Sequence, residues 1–184
     1  MGEEEIGVDL GLTDQIACSN GITYSRANLT RTHEAALAVA QRARKKRRIR
    51  ALHAKIKQAR KDWTHKVTTA MVRTAKLIVV GNVSSPKLAK TPMAKSVYDA
   101  AWGLTRTFLS YKAMRLGASY RDANESRSSM TCADCLMETG PRGLGQLGVR
   151  VWCCSHCGTV HNRDHNSARN ILRCGGATLA PGIP

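Results

Sequence analysis

Seven cysteines are spread unevenly over 184 residues, and four of them form two Cys-x-x-Cys pairs, Cys132 with Cys135 and Cys154 with Cys157. Each pair fits on one tight turn, so the two turns together offer four thiolates to one tetrahedral ion, the arrangement of a zinc ribbon. Cys153 adjoins the second pair and competes as a ligand. Cys154 keeps the two-residue spacing to Cys157, and Trp152 just before it can pack beneath the knuckle. Cys18 and Cys174 read as buried or free thiols. Zinc in so small a unit supplies folding free energy on the order of 10 kcal/mol. Immediately after the second pair, His161-Asn162-Arg163-Asp164-His165-Asn166 places an acid at the start of a predicted helix. Another acid, Asp9, interrupts an otherwise apolar strand-like run, Glu5-Ile6-Gly7-Val8-Asp9-Leu10-Gly11. An acid inside such a run needs a chemical reason, because a carboxylate on a buried strand is costly to desolvate.

The elements that must position these groups follow from hydrophobic periodicity and turn residues. Glu5–Gly11, Gln15–Ser19 and Ile22–Ser25 read as a three-stranded antiparallel meander, with Asn20-Gly21 predicting a type I′ hairpin turn between the last two. From about Thr32 to Lys76 the chain is helical in character and free of proline. Trp63, Val67, Ala70, Met71 and Thr74 recur at helical spacing and predict the buried stripe of its second half; the first half offers little to bury. Leu77-Ile78-Val79-Val80 has the continuous apolar character of a central parallel strand ending at Gly81-Asn82. Pro86 and Pro92 bracket a basic loop holding Lys87 and Lys90. A second helix carries Val97, Ala101, Leu104, Phe108 and Tyr111 on one face, with Trp102 and Phe108 read as core, and closes at Gly117. Ala118–Ala123 reads as one more strand, with Asn124-Glu125 at its exit. Arg163–Arg173 reads as a final helix with Asp164 in its first turn and Ala168 and Ile171 for packing. Gly175–Pro184 reads as a loosely attached tail.

Charge bounds the partners. The formal net charge is +16 and the pI about 10.1, which calls for a polyanion. Nucleic acid is favoured over membrane, since no apolar run approaches the roughly 20 residues of a bilayer span. Arg42 to Lys66 carries twelve Lys and Arg residues against the single acid Asp62. Arg44, Lys45, Lys46, Arg47 and Arg48 would relieve their own repulsion by neutralising phosphates, with salt-sensitive binding and no sign of base readout. The acidic start Met1-Gly2-Glu3-Glu4-Glu5 is the reverse of a signal peptide. The expected location is a reducing cytoplasm, close to the nucleoid, where paired cysteines favour metal over disulfide.

The resulting order, three strands, long helices, strand, helix, strand, ribbon and helix, is that of an RNase H-like α/β domain with a mixed sheet and flanking helices. Gly7-Val8-Asp9-Leu10-Gly11, the basic helical pair ending in Lys61-Asp62-Trp63-Thr64-His65-Lys66, the segment Lys87 through Gly103, the four cysteines and Asn162-Arg163-Asp164-x-Asn166 together resemble the C-terminal half of TnpB proteins. That family comprises transposon-encoded, RNA-guided DNA nucleases related to type V CRISPR effectors, with a RuvC-like nuclease domain. The resemblance implies a DNA target, a guide RNA and two Mg²⁺ or Mn²⁺ ions about 4 Å apart for phosphodiester hydrolysis. It also implies a ribbon that helps to load the target strand. Asp9 matches the family's first aspartate and Asp164 its last.

The family's central glutamate follows the Leu77–Val80 strand, where this sequence has Gly81. Between Gly81 and Cys132 the acids are Asp99, Asp122 and Glu125, of which the first falls in a predicted helix and the second within a strand. Glu125 leaves the strand expected beside Leu77–Val80, about 4.8 Å away, and the missing side chain at Gly81 leaves it space. The expectation is that Glu125 is the third catalytic carboxylate. The alternative is a nuclease-dead or truncated nucleic-acid-binding protein lacking the N-terminal guide- and target-binding domains. The expected organisation is a RuvC-like domain over 1–129 and 159–174, with a basic helical insertion over about 32–76, a zinc ribbon over 130–158 and a flexible tail over 175–184.

Overall fold

The computed structural model describes residues 2–12, 14–25, 29–82, 100–146 and 148–176. A five-stranded mixed sheet runs in the order β3-β2-β1-β4-β5, built from β1 (Glu4–Asp9), β2 (Asp14–Cys18), β3 (Thr23–Ser25), β4 (Ala75–Gly81) and β5 (Ser119–Ala123). β1 pairs with β4, and β4 with β5, in parallel, whereas β2 pairs antiparallel with both β1 and β3. The helices are α1 (Leu29–Thr32), α2 (Glu34–Arg42), α3 (Lys46–Thr74), α4 (Trp102–Leu116) and α5 (Arg163–Cys174). A ribbon hairpin of β6 (Val151–Cys153) and β7 (Val160–Asn162) lies between β5 and α5 in the chain.

Alternation along the parallel strands divides the core into two layers. Ile6 and Val8 of β1 and Ile78 and Val80 of β4 pack with Val67, Met71 and Val72 of α3 and Trp102, Leu109 and Ala113 of α4. Leu77 and Val79 of β4 turn the other way, onto Ile171 and Leu172 of α5 and Ala123 of β5. Gly7 and Asp9 therefore share the α5 face of β1. Gly7 is glycine for a steric reason, since a Cβ there would lie 2.0 Å from the Ala168 carbonyl oxygen and 2.7 Å from Leu172 Cβ. Its bare backbone lets α5 lie directly on β1.

Several local expectations are corrected. The β2–β3 turn is not type I′. Gly21 N–H donates to the Cys18 carbonyl at 3.1 Å and Gly21 alone is left-handed, at φ +85°, which is a type I turn completed by a glycine bulge. The basic helical region divides, as a helical pair would, at residues 43–45. Arg44, at φ 51°, closes α2 in a Schellman arrangement, with Arg44 N–H on Gln41 and Lys45 N–H on Ala40. The first half of α3 does bury Leu52 and Ile56. Its second half buries Thr64, Val67, Thr68, Met71 and Val72, while Ala70 and Thr74 are exposed. Threonines turn inward because Thr68 Oγ1 donates back to the Thr64 carbonyl and accepts from Lys112 Nζ, each at 2.7 Å. Trp102 and Phe108 are core residues, and Gly117 closes α4 at φ 75°. The readings on Pro86, Lys87, Lys90, Pro92, Val97, Asp99 and residues 177–184 fall outside the described residues. Gly175 itself is packed against Val79 rather than loose.

Candidate metal centre and zinc ribbon

The C-terminal ends of β1 and β4 and the first turn of α5 meet at one edge of the sheet. Asn162 caps α5, its Oδ1 accepting the Asp164 and His165 N–H groups at 3.0 and 3.1 Å, and so fixes the turn that carries Asp164. His165 ties the same turn to β2 and β3 through the Cys18 carbonyl (2.9 Å) and Thr23 Oγ1 (3.1 Å). On the other flank, Asn82 N–H donates to the Ala123 carbonyl at 2.9 Å, and Asn82 Oδ1 accepts the Glu125 N–H at 3.3 Å. The exits of β4 and β5 are thus tied together, with Glu125 directly over the end of β4.

The decisive contact is at Gly81. A Cβ built there would stand 2.6 Å from Glu125 Oε2, 3.3 Å from Glu125 Cβ and 2.9 Å from Ile171 Cδ1. The Glu125 carboxylate thus occupies the space into which a side chain at residue 81 would project. Asp9 is partly exposed at the mouth of the site yet densely surrounded. Desolvation, then the Asp164 charge, then that of Glu125 raise its carboxyl to about 7, against smaller downward pulls from the Ser167 hydroxyl and Arg163. Desolvation also raises Glu125, opposed by Arg106. Among the other acids, Asp122 is held by Arg106 at 2.9 Å and by the Tyr120 hydroxyl at 3.0 Å. It lies one residue out of phase with Ala123 and so points to the opposite face of the sheet from Asp9.

The charges of Asp164 and Glu125 bear on Asp9, and carboxylate oxygens are the ligands that would suit Mg²⁺ or Mn²⁺, although the ligand atoms that lie within 4.8 Å of one another among the described residues are those of the ribbon. Arg150 Nη1 at present lies 3.1 Å from both Asp164 carboxylate oxygens, reaching in from the ribbon. Its backbone carbonyl accepts Arg163 N–H at 2.8 Å. Sequence reasoning missed Arg150, Ser128, Ser167 and the cap at Asn162. An Asn two residues before an acid at a helix start is a legible cap, and Ser167 lies one turn beyond Asp164. Nothing local marks Arg150.

The ribbon's two knuckles are alike. Leu136 N–H donates to the Cys132 carbonyl and Gly158 N–H to the Cys154 carbonyl, both at 2.9 Å, with Leu136 and Gly158 left-handed at φ 68° and 75°. Cys132, Cys135, Cys154 and Cys157 place their sulfurs within 4.8 Å of one another, with pairs at 3.7 and 3.6 Å. Tetrahedral zinc with Zn–S of about 2.3 Å requires S···S distances near 3.8 Å, so the cluster fits that ion. Cys153 is exposed and outside the cluster, its thiol directed at the Gly158 carbonyl. Trp152 packs with Cys132 and Cys154 as expected. The Thr139 hydroxyl donates to Cys154 Sγ at 3.1 Å and is the main cause that draws this thiol down to about 5. His161 Nε2 lies 3.0 Å from Cys132 Sγ.

Arg44, Lys45, Lys46, Arg47 and Arg48 are all exposed, at the α2–α3 junction and the start of α3, and are not part of the carboxylate cluster. No helix among the described residues is long and apolar enough to cross a membrane.

Residues 102–171 match the family model described as Cas12f1-like, TNB domain. A Streptomyces pristinaespiralis protein, named among RNA-guided DNA endonucleases, is 35% identical over 191 residues, which cover 96% of this chain and 46% of the relative. Escherichia coli InsQ, named in the same way, is 31% identical over 205 residues, covering 96% of this chain and 50% of its own length. The cryo-EM structure of a CRISPR-Cas12f ternary complex shares the fold at a TM-score of 0.71 and 16% identity, over 98% of this chain and 40% of that one. A Cas12f1-sgRNA-target DNA complex does so at 0.69 and 17%, over 94% and 50%. The chain spans about half the length of the curated relatives it matches, and with this fold and these matches it belongs to the TnpB family.

Proposed function

We propose that the chain is the RuvC-like nuclease half of a TnpB-type RNA-guided DNA endonuclease, with Asp9, Glu125 and Asp164 as the carboxylates that hold its divalent ions. One observation carries the reading: Glu125 Oε2 fills the space that a side chain at Gly81 would enter, beside Asp9. In this reading Glu125, at the exit of β5, supplies the carboxylate that the family carries at the end of β4, and its Oε2 lies where a side chain at Gly81 would project. Two Mg²⁺ or Mn²⁺ ions bound there would supply Lewis acidity for phosphodiester hydrolysis. The protein's own contribution is to hold three oxygen ligands on a rigid edge: β1 for Asp9, the clamped β4–β5 exits for Glu125 and a capped helix turn for Asp164.

In this reading Cys132, Cys135, Cys154 and Cys157 hold a structural zinc. The exposed Arg44, Lys45, Lys46, Arg47 and Arg48 contact phosphates of the guide RNA or the DNA target. Lys87 and Lys90 are assigned the same role from sequence. The RuvC-like domain spans 1–129 and 159–174, with 130–158 as its ribbon.

The test is Mn²⁺-dependent cleavage of labelled DNA by the chain and by the Asp9→Asn, Glu125→Gln and Asp164→Asn variants, with binding measured in parallel. Each substitution should abolish cutting and leave salt-sensitive binding intact. Cutting by Glu125→Gln at the parental rate would overturn the assignment of Glu125. Binding without cutting by the parent would make the chain a nucleic-acid-binding module instead.

A further inference from the structure

The register of the ribbon hairpin sets His161 opposite Trp152, and the two rings pack with their centroids 4.8 Å apart. Held there, His161 is 4% exposed, and Cys132 beside it is fully buried. The imidazole Nε2 lies 3.0 Å from Cys132 Sγ and 3.7 Å from Asp134 Oδ2. Arg169 of α5 takes the other oxygen of Asp134, and Arg173 of the same helix donates to the Ala133 carbonyl at 2.7 Å. The first knuckle is thus clamped to α5, with one carboxylate oxygen left toward the imidazole.

Both groups that face Nε2 are acceptors once Cys132 binds zinc, because neither a thiolate nor a carboxylate has a proton to give. Nε2 must therefore carry the N–H of the ring. Two ligands of one tetrahedral zinc, with Zn–S about 2.3 Å and Zn–N about 2.0 Å, would stand roughly 3.5 Å apart. The 3.0 Å between Nε2 and Sγ is too short for shared coordination and fits a hydrogen bond to a charged acceptor. Four thiolates outweigh the charge of one Zn²⁺, and donors to sulfur spread the excess. The Thr139 hydroxyl donates to Cys154 Sγ at 3.1 Å, and Thr159 Oγ1 lies 3.4 Å from Cys157 Sγ. At Cys132, which solvent does not reach, the buried His161 takes that part.

We propose that His161 completes the zinc centre from outside its coordination shell: its Nε2–H donates to the Cys132 thiolate and so sets how tightly the four cysteines hold the ion. The inference rests on the four-cysteine zinc reading above. His161 is a positioning residue, acting on zinc only through Cys132, and Asp134, held by Arg169, is the second acceptor that keeps the proton on Nε2. The same strand carries Asn162, the cap of α5, so the bond also fixes the segment that leads into that helix.

The experiment is Zn²⁺ affinity, by competition with a chromophoric chelator at fixed pH, for the whole chain and its His161→Phe and His161→Gln variants. Each is also loaded with Co²⁺, whose absorption reports the ligand atoms and the thiolate-to-metal charge-transfer energy. His161→Phe keeps a ring against Trp152 and loses the donor, so it should weaken zinc about tenfold or more. Its charge-transfer band should move to longer wavelength, because the sulfur regains electron density, while the four-sulfur pattern persists. His161→Gln places an amide N–H where Nε2 stood and should recover both. Parental affinity in His161→Phe overturns the proposal. Weaker zinc with an unshifted band, or with no recovery in His161→Gln, makes His161 a packing residue and overturns it as well. A parental Co²⁺ spectrum of three sulfurs and one nitrogen would make His161 a ligand instead of a donor. A parent without any Co²⁺–thiolate band overturns the four-cysteine centre itself, a distinct result. If His161→Phe does not fold, the ¹⁵N spectrum of the zinc-loaded parent decides: an Nε2 without a proton overturns the proposal.

Discussion

Replacing Gly81 by alanine isolates the space that Glu125 occupies. The new Cβ would arrive 2.6 Å from Glu125 Oε2 and 2.9 Å from Ile171 Cδ1, where ordinary contact begins at 3.4 Å. The carboxylate oxygen must therefore retreat by about 0.8 Å, and a Glu side chain that is partly exposed can do so by swinging outward. Mg²⁺ holds its oxygens at about 2.0–2.1 Å with little tolerance, so such a displacement removes a ligand. Losing a partner one shell further out already costs about 10–100-fold in affinity, and loss of a direct ligand should cost at least as much. Stability should change little, by about 1 kcal/mol or less, because the unfolded-state gain of Gly→Ala at an ordinary strand φ offsets the crowding. Mn²⁺ titration and urea unfolding of Gly81→Ala should thus diverge, with affinity down at least about tenfold and the unfolding midpoint nearly fixed. Gly81→Glu combined with Glu125→Ala should return a carboxylate to the same space and recover binding. Parental Mn²⁺ affinity in Gly81→Ala would refute the reasoning.

The remaining expectations concern protons, zinc and charge. Asp9 is raised to about 7 in the folded chain, against about 3.9 unfolded, so the folded state binds the extra proton. Metal-free stability should therefore fall as pH rises from about 4 to 7. A shift of this size corresponds to about 4 kcal/mol at most, reduced to roughly 1–2 by solvent screening at a partly exposed group. Urea midpoints at pH 5 and 7.5 should show the decline, and Asp9→Asn or saturating Mn²⁺ should flatten it; a rise with pH in the metal-free chain would contradict the assignment. Chelating the ribbon zinc should expose Trp152, read as a red shift of its fluorescence, with loss of about one Zn²⁺ per chain. Neutralising Arg44, Lys45, Lys46, Arg47 and Arg48 together should weaken DNA binding uniformly across sequences. It should also lower the slope of log affinity against log salt by up to about 4.5; an unchanged slope would remove this face from the interface.

Much of the architecture is legible because it depends on local chemistry. The doubled Cys-x-x-Cys spacing identifies the four cysteines of the cluster and separates Cys154 from Cys153, since only a two-residue gap lets one turn present both sulfurs. The apolar run Leu77–Val80 identifies a strand paired on both sides, whereas the attention to Glu125 comes from the family resemblance, which implies a glutamate where Gly81 stands. What escaped depends on tertiary partners. The inward-facing Thr68 takes a hydrogen bond from Lys112 of α4, which no periodicity in α3 reveals. The G1-bulge turn at Asn20-Gly21 follows from the register, which sets Ala17 opposite Thr23 and leaves a three-residue loop between Cys18 and Ile22, not from the dipeptide alone. Arg150 reaches Asp164 across a ribbon loop, and Ser128 meets Ser167 across 39 residues of chain; neither pairing leaves a local pattern.

The most direct measurement is a crystal structure grown with Mn²⁺, located by its anomalous signal. The account predicts Mn²⁺ at the ends of β1 and β4, with oxygens of Asp9, Glu125 and Asp164 all in its coordination shell and Arg150 withdrawn from Asp164. Glu125 turned to solvent, with an empty space beside Gly81 and no anomalous density at the carboxylates, would contradict it.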